Sequence, residues 1–169
     1  MIKTIFEKDL TNKKMFISRE FVGTVEEVWQ AWTDSEILDQ WWAPKPWKAI
    51  TKKMDFREGG TWLYCMQGPE GERHWAKANY KKIKAPESLE VIDAFCDENG
   101  NENPDLPNMH WRTSFKPSTN GTIVEISITF ASQEALEQIV EMGFQEGFTA
   151  AHENLDQYLE VNRGIGYKV

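Results

Sequence analysis

The chain has 169 residues, with 19 basic against 27 acidic side chains and a formal charge of −8. That length suits one domain with its own core, and the acidic balance argues against a nucleic acid or an anionic membrane as partner. Apolar runs of a few residues fall far short of the roughly 20 that a spanning helix needs. No cationic leader with an apolar stretch opens the chain, so a cytoplasmic location is expected.

Residues 1–12 read as a short N-terminal extension of mixed polarity. Residues 13–22 are β-branched and aromatic without helical spacing, which predicts a first strand. Thr24 and Glu27 then stand at capping-box spacing, and Val25, Val28, Trp29 and Trp32 form one apolar helical stripe. Asp34 caps a second short helix carrying Ile37, Leu38, Trp41 and Trp42, which Pro44 and Pro46 stop.

From residue 47 to residue 130 the apolar period changes to two. Strands are predicted over 47–56, 61–68, 73–83, 88–96, 109–116 and 122–130. Gly59 and Gly60 join the first pair, Asn120 and Gly121 join the last, and 97–107 is the longest loop. Cys65 and Cys96 fall in strands without metal-ligand spacing and read as reduced, buried thiols. Lys52, Lys53, Lys77, Lys81, Lys82 and Lys84 read as a solvated sheet face.

Residues 132–160 repeat Leu136, Ile139, Val140, Phe144, Phe148, Ala151, Leu155, Tyr158 and Leu159 at three- and four-residue steps. This predicts one continuous helix of about 43 Å. Gly143 and Gly147 interrupt its apolar side, for close packing or for room beside a ligand. Consecutive hairpins make an antiparallel sheet, and only this helix is long enough to cover one face of it. The expected architecture is therefore α+β: a curved sheet of six to seven strands around a long C-terminal helix, with two short helices after strand one. One helix cannot fill such a concave face. Large side chains or a guest must take the rest, and eight tryptophans supply walls for either.

Several motifs carry a family resemblance. Val28, Trp29, Ala31, Trp32, Thr33 and Asp34 are followed by Leu38, Trp41, Trp42 and Pro44. Asp55, Arg57, Gly59, Gly60 and Trp62 come next, then Tyr64, Met66, Gly68, Pro69 and Gly71, and later Pro86 and Leu89. The run 142–148 reads M-G-F-x-E-G-F, with Phe148 where a Trp is usual. Over 13–160 the chain resembles the START-like (SRPBCC) proteins related to the activator of the heat-shock-protein-90 ATPase. The resemblance implies a helix-grip domain, here placed at 13–161 with a tail at 162–169, shared with birch-pollen-allergen-like and lipid-transfer relatives. Members are named variously as stress-related, co-chaperone-like or polyketide-cyclase-like, and such a fold hosts unrelated functions. The eukaryotic activator has an additional N-terminal domain that contacts the chaperone. Nothing before residue 13 resembles it, so no chaperone partner is expected.

Strand parity puts Trp62, Tyr64 and Met66 on one face, and Met109, Trp111, Thr113 and Phe115 on one face. With Trp41, Trp42, Phe144 and Phe148 these make the expected ligand walls, Trp62 and Tyr64 offering polar tips. Asp55, Arg57, His74 and His110 are the candidate polar contacts, Asp55 and Arg57 also reading as a turn brace. No metal, nucleophile or dinucleotide motif occurs, so neither metal nor cofactor is expected. The leading expectation is non-catalytic binding of a small hydrophobic or aromatic ligand, and a homodimer is compatible with it. The alternatives are a cyclase- or aromatase-type enzyme and a co-chaperone-like interaction module.

Overall fold

The computed structural model describes residues 3–167, with side chains through residue 162. Its elements run β1 (Ile5–Asp9), β2 (Lys14–Phe21), α1 (Val25–Thr33), α2 (Ser35–Trp41), β3 (Lys48–Met54), β4 (Thr61–Gln67), β5 (Arg73–Lys84), β6 (Ser88–Cys96), β7 (Met109–Ser118), β8 (Gly121–Phe130), α3 (Gln133–Glu141) and α4 (Phe144–Tyr167). No helix among them is long and apolar enough to cross a membrane.

The capping signals act as read. Thr24 accepts from the Glu27 amide at 3.1 Å while the Glu27 carboxylate accepts from the Thr24 amide at 3.2 Å, a closed capping box. Asp34 ends α1 and starts α2, its side chain accepting from the Glu36 amide at 2.9 Å. The strands join in one antiparallel sheet ordered β1-β2-β8-β7-β6-β5-β4-β3. β2 and β3 lie near opposite ends of that order, so α1 and α2 carry the chain across. Register shifts in β3, at Thr51 and Lys53, and in β5, at Tyr80 and Lys82, help to bend the sheet.

Three expectations are corrected. The sheet has eight strands, because β1 lies inside the expected N-terminal extension and pairs with β2. The Asn12 amide donates to Asp9 at 3.1 Å and Lys13 takes φ 58°, so residues 10–13 form the tight turn that joins β1 to β2. The single helix expected over 132–160 is two, α3 and α4. Gly143 stands at φ +89° and donates to the Val140 carbonyl at 3.0 Å, closing α3 in the left-handed cap that glycine favours. Finally, α4 runs to Tyr167, so the expected tail at 162–169 begins inside a helix. Residues 1, 2, 168 and 169 of the expected extension and tail lie outside the described residues.

The Asn120 and Gly121 signal also acts differently from its reading. Ser118 pairs with Gly121, so Thr119 and Asn120 form the loop and Gly121 opens β8. A Cβ there would meet the Phe21 carbonyl at 2.1 Å; the glycine permits close approach of β2. Cys65 and Cys96 are free thiols, Cys65 buried and Cys96 half-buried. The lysines are exposed apart from Lys77, which pairs with Glu102 at 3.2 Å.

The core fills from both ends of the concave face. Trp32 packs on Phe21 at 5.6 Å and on Trp41 at 4.5 Å, while Phe148, Ala151, Leu155 and Leu159 of α4 descend in three- and four-residue steps. His152 lies fully buried among Phe21, Trp32, Trp41 and Phe148. The Thr4 hydroxyl accepts from Arg19 at 2.8 Å and is hydrogen-bonded to His152 Nδ1 at 3.0 Å, while Arg19 also pairs with Asp156. Burial, with Arg19 adding to it, pushes the imidazole pKa from 6.5 down to about 3. Between those values the unfolded chain takes up a proton that the folded one refuses, so stability falls as pH falls. His152→Leu removes this loss. The unfolding free energy of the variant minus that of the parent, from urea titrations, is expected to rise by about 1.4 kcal/mol for each pH unit below about 6.5.

Candidate ligand cavity

Alternation along the strands decides which side chains the helices meet. Trp62, Tyr64 and Met66 of β4 and Met109, Trp111, Thr113 and Phe115 of β7 face inward together. On β6 the inward set is Leu89, Val91, Asp93 and Phe95. Between this face and the junction of α3 with α4 lies a cavity of about 250 Å³. Its walls include Trp42, Tyr64, Met66, Phe95, Trp111, Ile139, Phe144 and Phe148. The rings form a continuous lining: Trp42 lies 5.7 Å from Phe148 and 6.2 Å from Trp111, and Phe144 stacks on Phe148 at 5.3 Å. The outer end is rimmed by Met66, His74 and Met142, all keeping exposed surface.

A smaller chamber of about 50 Å³ lies deeper, between Trp32, Trp62, Tyr80 and Thr113. Trp42, Tyr64, Asp93 and Trp111 line both spaces and so form the wall between them. A larger depression of about 650 Å³ crosses the outer sheet face, lined mostly by polar residues such as Glu7, Ser18, Lys82, Glu90 and Arg112. It is a broad trough open to solvent, apart from the aromatic lining of the inner cavity.

The dividing wall carries the polar chemistry. Trp111 Nε1 donates to Asp93 Oδ2 at 2.8 Å and the Met109 amide donates to Asp93 Oδ1 at 3.1 Å. Trp42 Nε1 donates to the Tyr64 hydroxyl at 3.0 Å. Burial raises the Asp93 pKa from 3.8 to about 7, against the pull of both donors. Asp93 nonetheless keeps accessible surface, and that surface faces the cavity. Burial, then the Asp93 charge, push the Tyr64 phenol far above its ordinary range.

Of the walls expected from the sequence, Trp42, Tyr64, Met66, Trp111, Phe144 and Phe148 meet at the cavity, while Thr113 lines the deeper chamber. Trp62 also backs that chamber, but its indole N–H is spent on Thr51 Oγ1 at 2.9 Å and its ring stacks on Tyr64 at 4.0 Å. Trp41 lies away from the cavity. It is fully buried and donates to the Ala31 carbonyl at 2.9 Å, because neighbouring helix positions cannot share a face.

The polar candidates mostly turn away. Asp55 and Arg57 pair at 2.8 Å in the exposed β3–β4 turn. His110 follows inward Met109 and so faces outward, where it bonds Glu90 at 2.7 Å. His74 reaches only the rim, against Trp47 at 5.3 Å. The polar residue that sequence reasoning missed is Asp93. Its signal was present in the spacing of Leu89, Val91, Asp93 and Phe95, an acid at an inward position of an apolar strand.

A family model described as Activator of Hsp90 ATPase homolog 1-like protein matches residues 23–160. Among solved structures, the crystal structure of protein Ms6760 from Mycobacterium smegmatis is 33% identical, with a TM-score of 0.86, covering 94% of this chain and 97% of that one. The solution structure of a protein from Arthrobacter aurescens is 34% identical, with a TM-score of 0.84, covering 90% and 88%. Protein NE0264 from Nitrosomonas europaea, at 24% identity and a TM-score of 0.77 over 90% and 97%, supports the fold alone. No match is found among curated proteins.

A carboxyl held protonated in the fold opposes folding as pH rises, because the unfolded chain gives up its proton first. Asp93→Asn removes that opposition. The stability of the variant relative to the parent is expected to climb by about 1.4 kcal/mol per pH unit from about pH 4 to about 7 and then to level. Urea titrations across that range measure it.

Proposed function

The chain belongs to the Activator of Hsp90 ATPase homolog 1-like protein family, and on that premise we propose that it is a non-catalytic receptor. Its ligand is a small apolar or aromatic molecule held under the α3–α4 junction. The supporting observation is the cavity of about 250 Å³ with a nearly continuous aromatic lining. A void of about 150 Å³ lined by apolar side chains already takes up benzene in an engineered protein, and ligand pockets commonly begin near 300 Å³. A molecule of one or two rings suits a space of that size. The proposal requires no chaperone partner.

A cyclase- or aromatase-type enzyme is the second reading, and one observation favours it. Asp93 faces the cavity with a pKa near neutrality, where a carboxyl can hold or release a proton.

Gly147 allows a direct test of the receptor reading. It lines the cavity from within α4, and a Cβ there would touch only Pro44, at 3.7 Å, an ordinary contact. Replacing a helical glycine gains about 1 kcal/mol, so Gly147→Leu should fill space without unfolding the chain. The neutral two-ring dye prodan is expected to shift its emission to the blue with the parent and to bind the variant at least about tenfold more weakly, with the melting temperature not lowered. Equal dye binding by both proteins contradicts the proposal.

A further inference from the structure

Asp93 lines the cavity without a fixed cation to answer it. From β4 it meets Tyr64, and from β5 it shares the chambers with Tyr80 inside and His74 at the rim. Cys96 follows on its own strand, beyond Phe95. From β7 come Met109, Trp111 and Thr113, from the end of α2 Trp42, and from α3 and α4 only uncharged side chains such as Ile139, Phe144 and Phe148. Among the described lining residues the one basic side chain is therefore His74, exposed and packed on Trp47.

The same fold treats another acid differently. Asp156 is half-buried and takes the buried Arg19 as its partner. Asp93 receives two neutral N–H donors, which occupy one acceptor position on each oxygen. An ionised carboxylate offers about four, so acceptor capacity remains on the side that lines the cavity. The rings of Trp42, Tyr64, Trp111 and Phe148 line the same cavity, and aromatic walls attract an organic cation through their quadrupoles. A chain of charge −8 also draws cations toward its clefts.

We propose that this cavity selects small aromatic or apolar ammonium compounds, with the charge on Asp93 and the body among Trp42, Trp111 and Phe148. This rests on the receptor reading and adds the chemical class of its ligand. The bound cation replaces the missing counter-charge, so ionised Asp93 becomes the favoured state in the complex. Asp93 here is a binding residue, and the Tyr64 hydroxyl, already accepting from Trp42, belongs to the same wall.

The test compares phenethylamine with propylbenzene, its neutral counterpart of similar shape, by calorimetry on the full chain. At about pH 8 the amine is expected to bind at least about tenfold more tightly. Because the free carboxyl titrates at about 7, lowering the pH from about 8 to about 5.5 is expected to weaken the amine about thirtyfold. Propylbenzene should change less than about twofold over the same range. Asp93→Asn should abolish the preference while still binding propylbenzene, and the pH series on the parent stands even where that variant folds poorly. If propylbenzene binds and the amine binds no better at any pH, the ammonium proposal is overturned and the receptor reading survives. If neither binds, both fall.

Discussion

The cavity depends on the backbone turn at Gly143. A sheet bent around a straight helix meets it along one line, and side chains from both layers close the gap. Here the chain leaves α3 through a left-handed residue and starts α4 at once, so the two apolar stripes reach the sheet from different directions. Ile139 and Met142 approach from one side of the junction, Phe144 and Phe148 from the other. Gly147 withholds a side chain on the cavity wall where most helical residues would place one. The hollow is thus a property of how two helices divide one concave face, and the aromatic residues set its walls.

Two buried titratable groups pull stability in opposite directions with pH. His152 stays neutral in the fold and weakens it as acid is added, whereas Asp93 stays protonated and weakens it as acid is withdrawn. Between about pH 4 and 6.5 the two slopes oppose each other. His152 is enclosed by rings and bonded through Thr4, which makes it part of the core. Asp93 differs because its surface faces the cavity. An acid whose desolvation is left uncompensated in the free protein is an unfavourable choice for stability alone, and sites of binding are where such costs concentrate.

Most of the fold was legible because the strands alternate cleanly and the helix caps are strong local signals. Thr24, Glu27 and Asp34 make the bonds their spacing implies, and parity on β4 and β7 placed Tyr64, Met66 and Trp111 correctly. The break at Gly143 was hidden because apolar spacing continues from Ile139 through Phe144, while the sign of a backbone angle leaves no trace in hydropathy. Strand β1 was hidden because five residues of mixed polarity at a sheet edge bury little. Trp41 and Trp42 looked equivalent, yet adjacent positions on a helix point about 100° apart. Only Trp42 could reach the cavity once Trp41 had turned to Trp32. Asp93 obeys the same parity, its inward position following from Leu89, Val91 and Phe95 on the same strand.

The most direct test of the cavity needs no ligand chemistry. Apolar hollows that stay dry take up xenon under pressure. A crystal of the full chain pressurised with xenon should show the gas in the cavity that Trp42, Trp111, Phe144 and Phe148 line, with those rings unmoved. A cavity closed by shifted side chains, with no xenon in it, would mean the interior is filled, and a receptor built on that hollow would have no place to hold its guest.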